Sequence, residues 1–141
     1  MTRAADLQRL IRGIGQDMRD YRALHVLLDE QFYAALRHRA TALQDLAQRI
    51  GVFVDDIEKR RRERVQLVEK LVGRGATMSA SFALVTDVRS RALLQNDWQT
   101  LETLVVDCKR LNARNGQLMT TQHSIMQRVL RGDEEATYAP V

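Results

Sequence analysis

The chain has 141 residues, 45% of them hydrophobic and 28% charged, and its 22 basic and 18 acidic side chains leave a formal net charge of +4. That is room for one domain with a real core and too little for two comfortable ones, and the composition excludes a disordered polymer. The interspersed charges exclude a nucleic-acid arm, the single cysteine excludes a disulfide framework, and no run of about 18 apolar residues offers a membrane span.

Aromatics make up 5% of the chain and the only proline is Pro140, so no residue ahead of it must break a helix. The expected fold is all-α: an elongated, antiparallel, coiled-coil-like bundle of three to four long helices. The N-terminus lacks the uninterrupted apolar core of a secretory signal, and a cytoplasmic location follows as the expectation.

Thr2 is placed to cap the first helix. Leu7, Ile11, Ile14, Met18, Tyr21, Leu28, Phe32 and Leu36 then recur at spacings of three, four or seven, and Leu43, Leu46, Ile50, Val54, Ile57, Val68 and Val72 continue in phase. One straight helix over 7–72 would run roughly 100 Å, longer than a domain of this size builds, so the chain must fold back. Phase does not locate that turn, but a polar residue at the centre of the stripe does. Arg39 is such a residue, and Thr41-Ala42-Leu43-Gln44 reads as a capping box, which places the turn at 38–41 with Thr41 as N-cap. Gly51 is the rival position. Gly13, Gly15 and Gly51 inside helices point to close approach or fraying, or more sharply to a hinge, each costing on the order of 1 kcal/mol against alanine.

The second helix is expected to end at Val72-Gly73-Arg74-Gly75, where glycine can supply a left-handed cap. Thr77 or Ser79 starts a third helix carrying Phe82, Val85, Val88 and Leu93. Asn96 with Gln99 forms a second capping box, which starts a fourth helix or marks a kink.

From Trp98 the stripe continues into 111–141, the stretch around which the chain is organised. Leu104, Cys108, Leu111, Leu118, Met119, Ile125, Met126, Val129 and Leu130 project within an arc of about 140°, against roughly 100° for an ordinary surface helix. Such a helix carries more apolar surface than one neighbour covers. Asn115 and Gln122 lie inside the arc, Asn112 lies towards its edge, and Gly116 borders it where another backbone could come close. A buried amide that loses its partner costs about 1–3 kcal/mol. These amides therefore either pair with other helices and fix register, or face a groove and bond an incoming peptide. Met119 and Met126, with flexible thioethers, suit a surface that adapts to a partner. The stripe stops at Arg131-Gly132, which divides the chain into a bundle domain over 1–131 and a flexible tail over 132–141 with one aromatic, Tyr138.

Other residues read more plainly. Lys59-Arg60-Arg61-Arg62-Glu63-Arg64 is expected to be a solvated helix face, with Arg61 and Arg64 in phase with the stripe, so that either the bundle is thin there or they meet acids across it. No aromatic lies between Phe53 and Phe82 to stack a base, so no nucleic-acid partner is expected. His25, His38 and His123 form no Glu-x-x-His or His-Glu-x-x-His pattern, hence no metal and no cofactor. His25, on the stripe, reads as a hydrogen-bonded core residue. Cys108 reads as an inert buried thiol, and the carboxylate runs Asp55-Asp56 and Asp133-Glu134-Glu135 as capping or solvated groups. No enzyme is expected.

The run Leu111-Asn112-Ala113-Arg114-Asn115-Gly116-Gln117-Leu118-Met119, followed by Val129-Leu130-Arg131-Gly132 and Tyr138, resembles the C-terminal signature of FlgN-type flagellar export chaperones. Leu36-x-x-Arg39 and Leu43-x-x-Leu46-x-x-Arg49 are similar to the family's early helical pattern, although Ala40 stands where an acidic residue is usual. The family's glycine beyond the tyrosine is absent, since the chain ends Ala139-Pro140-Val141. The resemblance implies a cytosolic chaperone without ATPase activity for flagellar hook-filament junction proteins. Its C-terminal helix would hold an amphipathic C-terminal segment of the cargo and pass the complex to the export gate's cytosolic domain. Leu104, Leu111, Asn112, Asn115, Gly116, Leu118, Met119, Gln122, Ile125, Met126 and Val129 are then the expected cargo-binding residues, and Tyr138 the gate-docking one. The competing reading is a self-associating coiled-coil scaffold or another helical adaptor. On the first reading the chain is a monomer or a weak homo-oligomer.

Overall fold

The computed structural model describes the backbone of residues 2–138 and the side chains of residues 2–132. Four helices follow in order: α1 (Arg3–Leu36), α2 (Ala40–Leu71), α3 (Met78–Phe82) and α4 (Val88–Tyr138). No strand occurs among the described residues. The expected all-α bundle forms, its three long helices of 34, 32 and 51 residues running up, down and up.

Local chemistry sets the boundaries. Thr2 Oγ1 accepts a hydrogen bond from the Ala5 amide at 3.1 Å and caps α1. At the other end His38 adopts a left-handed conformation (φ 53°), while its amide donates to Ala35 O (3.2 Å) and the Arg39 amide donates to Ala34 O (3.0 Å). This backbone closure satisfies the last carbonyls of α1 without a side chain. The turn therefore falls at 37–39, one residue ahead of the expected span, and Thr41 is not the N-cap. Arg39 occupies that position, with no side-chain cap bond. Gly51 lies inside α2. No heavy atom outside the helix's own turns stands within 4 Å of where a Cβ would sit at Gly13, Gly51 or Gly116, so these glycines do not mark close approaches within this chain.

The second helix ends as expected, with Gly73 (φ 135°) and Gly75 (φ 78°) taking conformations that side chains avoid. Thr77 caps α3, accepting from the Ala80 amide at 3.3 Å. The third helix is shorter than the sequence suggested, because Val85 lies in the link after α3 and Val88 opens α4. Asp87 accepts from the Ser90 amide (3.0 Å) and hydroxyl (2.6 Å), which starts α4 and holds the Asp87 carboxyl below its usual range. Asn96 and Gln99 lie within α4, where Asn96 O accepts from Thr100 Oγ1, so no helix begins there.

Helix α1 is the hub. Its upper half meets α2 through Leu27, Ala34 and Leu46, backed by Leu43 and Phe53. The lower half meets α2 through charge. Asp6 pairs with Lys70 (2.9 Å), fully buried Asp17 accepts from Arg60 Nε (2.6 Å) and from Arg64, and Asp20 accepts from Arg60.

Against α4 the contact is parallel and in strict register. Cys108 Sγ donates to Tyr21 O (3.5 Å), Asn115 Nδ2 to Leu28 O (2.7 Å) and Gln122 Nε2 to Ala35 O (2.9 Å), each pair 87 residues apart. At that offset Leu36, the last residue of α1, lies level with His123. Helix α4 continues to Tyr138, a projection of about 22 Å past the end of α1. It stays helical through Gly132, so the tail expected over 132–141 starts as a continuation of the helix.

Helices α2 and α4 flank α1 without joining. Among the described residues no Cα of α2 comes within 8 Å of one in α4. Their side chains meet at the lower end, where the Arg64 guanidinium sits 5.3 Å from the centre of the Trp98 ring.

Candidate partner-binding surface

The expected cargo residues separate by what α1 covers. Leu111 is 3% exposed and belongs to the central apolar cluster with Leu24, Leu28, Ile57 and Cys108. Asn115 is fully buried. Its Nδ2 donates to Leu28 O and to Gln31 Oε1 (2.9 Å), and its Oδ1 accepts from Arg114 Nε (3.1 Å). Leu111 and Asn115 therefore pack α4 onto α1 and do not lie on the open part of the arc. Gln122 is half-buried with its amide committed to Ala35 O. Of the two readings for these amides, register fixing is the one the geometry shows for Asn115 and Gln122. Arg114 reinforces the joint by pairing with Asp29 (3.1 Å) and lying 3.9 Å above the Phe32 ring.

The remaining residues are open or partly open. Leu104, Leu118 and Met119 are half-buried, and none of them enters the three apolar clusters of the core. Asn112 and Gly116 are exposed. Beyond the end of α1, Ile125 is 47%, Met126 57%, Val129 52% and Leu130 59% exposed. Four consecutive members of an apolar stripe left this bare are unusual for a lone chain. The Tyr138 side chain lies outside the described residues.

A second feature was not singled out from the sequence. Between α2 and α4, floored by Tyr21 and Leu24 of α1, runs an open groove of about 570 Å³ beside Trp98 and Val106 that continues into a hollow of about 190 Å³ beside Val54 and Asn112. Tyr21, Val105 and Lys109 line both parts. The signal for it lay in a second row on α4, with Val105, Lys109, Asn112 and Gly116 at alternating spacings of four and three.

The four arginines of the basic run over 59–64 pair with acids of this chain. Arg60 and Arg64 reach the acids of α1, whereas Arg61 pairs with Glu58 on its own helix (2.7 Å), as does Arg62. Those two guanidiniums hold the Glu58 carboxyl down at about 2. His25 is not a core residue; it is half-exposed, 3.7 Å from Asp29 on the same helix. Among the described residues no cluster of His, Cys, Asp or Glu could hold a metal ion, and no helix is long and apolar enough to cross a membrane.

Cys108 is buried, and its thiol is pushed up to about 11 by desolvation and by the nearby Asp107 carboxylate. At pH 8 on the order of one such thiol in a thousand is ionised, and the thiolate is the reactive form. Alkylation of the native chain by iodoacetamide at pH 8, followed by mass spectrometry, is expected to be at least a hundredfold slower than in urea. An equal rate would show that Cys108 is not sealed between α4 and Tyr21.

Comparison with curated proteins and with solved structures finds no match. The family described as FlgN protein matches residues 1–132, a span that takes in every described helix residue of the α1–α4 contact and stops short of Tyr138. On that match, with a helical bundle whose last helix outruns its neighbours, the chain belongs to the FlgN family of flagellar export chaperones.

Proposed function

We propose that this chain is a cytosolic chaperone, not an enzyme, that holds an amphipathic C-terminal helix of a flagellar hook-filament junction protein and delivers it to the export gate. One observation carries the reading: α4 projects beyond α1 with Ile125, Met126, Val129 and Leu130 uncovered, continuous with half-buried Leu118 and Met119. A helix laid against that strip would bury the apolar surface that the chain leaves in water. Asn112 and Gly116 flank the strip and stay in the binding set with Leu104 and Gln122. Leu111 and Asn115 contribute by holding α4 in place. Residues 132–141 act as an arm carrying Tyr138 to the gate. The mechanism uses no cofactor or metal, and its partners are proteins and not nucleic acid.

The test is capture of a fluorescent peptide copying the last residues of a junction protein. Met126→Asp should weaken capture at least a hundredfold with helicity and unfolding midpoint unchanged, and Leu118→Asp should do likewise. Tyr138→Ala should leave capture intact and weaken recruitment to the gate's cytosolic domain. Normal capture by both aspartate variants would remove α4 as the site.

A further inference from the structure

The bare strip of α4 lies on the face that α1 occupies lower down. Projected at about 100° per residue, Ile125, Met126, Val129 and Leu130 fall within about 80° of Asn115, whose amide binds the α1 backbone. A helix seated on the strip therefore stands end-on above α1, where α1 itself would run if it continued. With α1 and α4 in register at an offset of 87 residues, the floor of that seat is the α1–α2 turn over 37–39, level with Ile125 and Met126.

The floor is basic. Arg37, His38 and Arg39 are all exposed, and among the described residues none of their side chains has a hydrogen bond or an ion pair. No Asp or Glu occurs over 31–44. Of the acids that flank this stretch, Asp29 pairs with Arg114 and Asp45 with Arg49, while Glu30 lines a hollow with Arg37 and Arg39 but pairs with neither. The turn spends its own amides on Tyr33 O, Ala35 O and Ala34 O, so what it offers upward is side chains. Helix dipoles do not decide the matter, because the negative half-charge at the end of α1 and the positive one at the start of α2 meet in the same turn and oppose each other. A helix arriving N-terminus first would press free amides and a positive half-charge onto two guanidiniums and an imidazole. One arriving C-terminus first brings free carbonyls and, where its chain ends, a carboxylate that matches the arginine fork.

We propose that the cargo helix sits antiparallel to α4 with its C-terminus lowermost, and that Arg37 and Arg39, with His38 between them, receive its terminal carboxylate. The inference rests on the chaperone reading and adds to it the polarity of the bound helix and a reason for choosing a chain terminus over an internal helix. An internal segment of the same apolar pattern has no carboxylate to give, and its onward chain would have to pass through the turn.

The test uses a fluorescent peptide copying the last residues of a junction protein, made once with a free C-terminal carboxylate and once with that group amidated, each titrated against the full chain. The free acid is expected to bind at least tenfold more tightly than the amide. Arg37→Gln combined with Arg39→Gln should lower capture of the acid to that of the amide and leave the amide unchanged. Both positions are exposed, so circular dichroism should show undiminished helicity. For polarity, a cysteine at the last position of the peptide should form a disulfide with Leu36→Cys, at the foot of the seat, and not with Gly132→Cys, about 14 Å higher along α4 and beyond disulfide reach. Equal capture of acid and amide, an acid preference that survives in the double variant, or a cross-link no faster at Leu36→Cys than at Gly132→Cys overturns the inference and leaves the chaperone reading standing. Capture of neither peptide removes both.

Discussion

Asp17→Ala is expected to destabilise the chain by about 3–5 kcal/mol, the usual cost of removing one partner from a buried ionic cluster. Asp17 has no solvent exposure and accepts from both Arg60 and Arg64, whose side chains are 20% and 17% exposed. Removing it leaves Arg60 with Asp20 alone and Arg64 with only the Trp98 ring, two part-buried cations between α1 and α2. With total stabilities of roughly 5–15 kcal/mol typical for single domains, the loss is a large share. Urea unfolding followed by circular dichroism measures it. Replacing Asp17, Asp20, Arg60 and Arg64 together with Leu, Asn, Leu and Met should restore most of the loss, because Asp20, the second acid on Arg60, is then neutral as well and no charge of the cluster is stranded. A loss under about 1 kcal/mol for Asp17→Ala would mean that the charges are solvated and the α1–α2 joint rests on its apolar half.

The second large effect is expected at Asn115→Asp, a near-isosteric change of about 2–4 kcal/mol. The Asn115 amide donates to two oxygens, Leu28 O and Gln31 Oε1, in a fully buried position. A carboxylate there has no proton to give, and desolvation adds to the loss. Arg114 Nε, already bonded to Asn115 Oδ1, offsets part of it. Burial against two acceptors raises the pKa of the introduced carboxyl in the folded chain above its unfolded value near 3.9. The deficit relative to wild type is then small below about pH 4, where the protonated group can donate, and grows as pH rises through that range. Urea midpoints at pH 4 and pH 7 separate this from a cargo-contact role, which would cost binding and leave stability alone.

Much of the architecture was written in the spacing of apolar residues, and the exceptions are instructive. The stripe from Leu7 to Leu36 forms α1, and the polar residue at its centre, Arg39, marked the reversal within a residue. Thr41 misled because the chain turns through backbone bonds around His38, and a left-handed histidine has no strong sequence signature. Asn96 and Gln99 misled for a related reason: capping residues are also ordinary residues of an exposed helix face, and only Asp87 with Ser90 stands where the α4 backbone begins. The acids of α1 escaped notice although Asp6, Asp17 and Asp20 sit on the face turned to α2. A search for apolar periodicity passes over charges that are buried because they are paired. The candidate surface was legible as a stripe too wide for one neighbour. What the stripe could not say is where cover stops, since that depends on the length of α1 and on the register between helices distant in sequence.

That register has a mechanical consequence. Because α4 is bonded to α1 at three matched levels, the upper edge of the sheltered zone is fixed by the tip of the first hairpin, not by anything in α4 itself. Inserting seven residues in each arm of that hairpin, two turns apiece, would raise its tip by about 10 Å and roof over Ile125, Met126 and Val129. Deleting the same number would bare Leu118 and Met119. The α1–α2 hairpin thus works as a ruler, and the extent of sticky surface shown to a client is set by trimming a segment that never touches it.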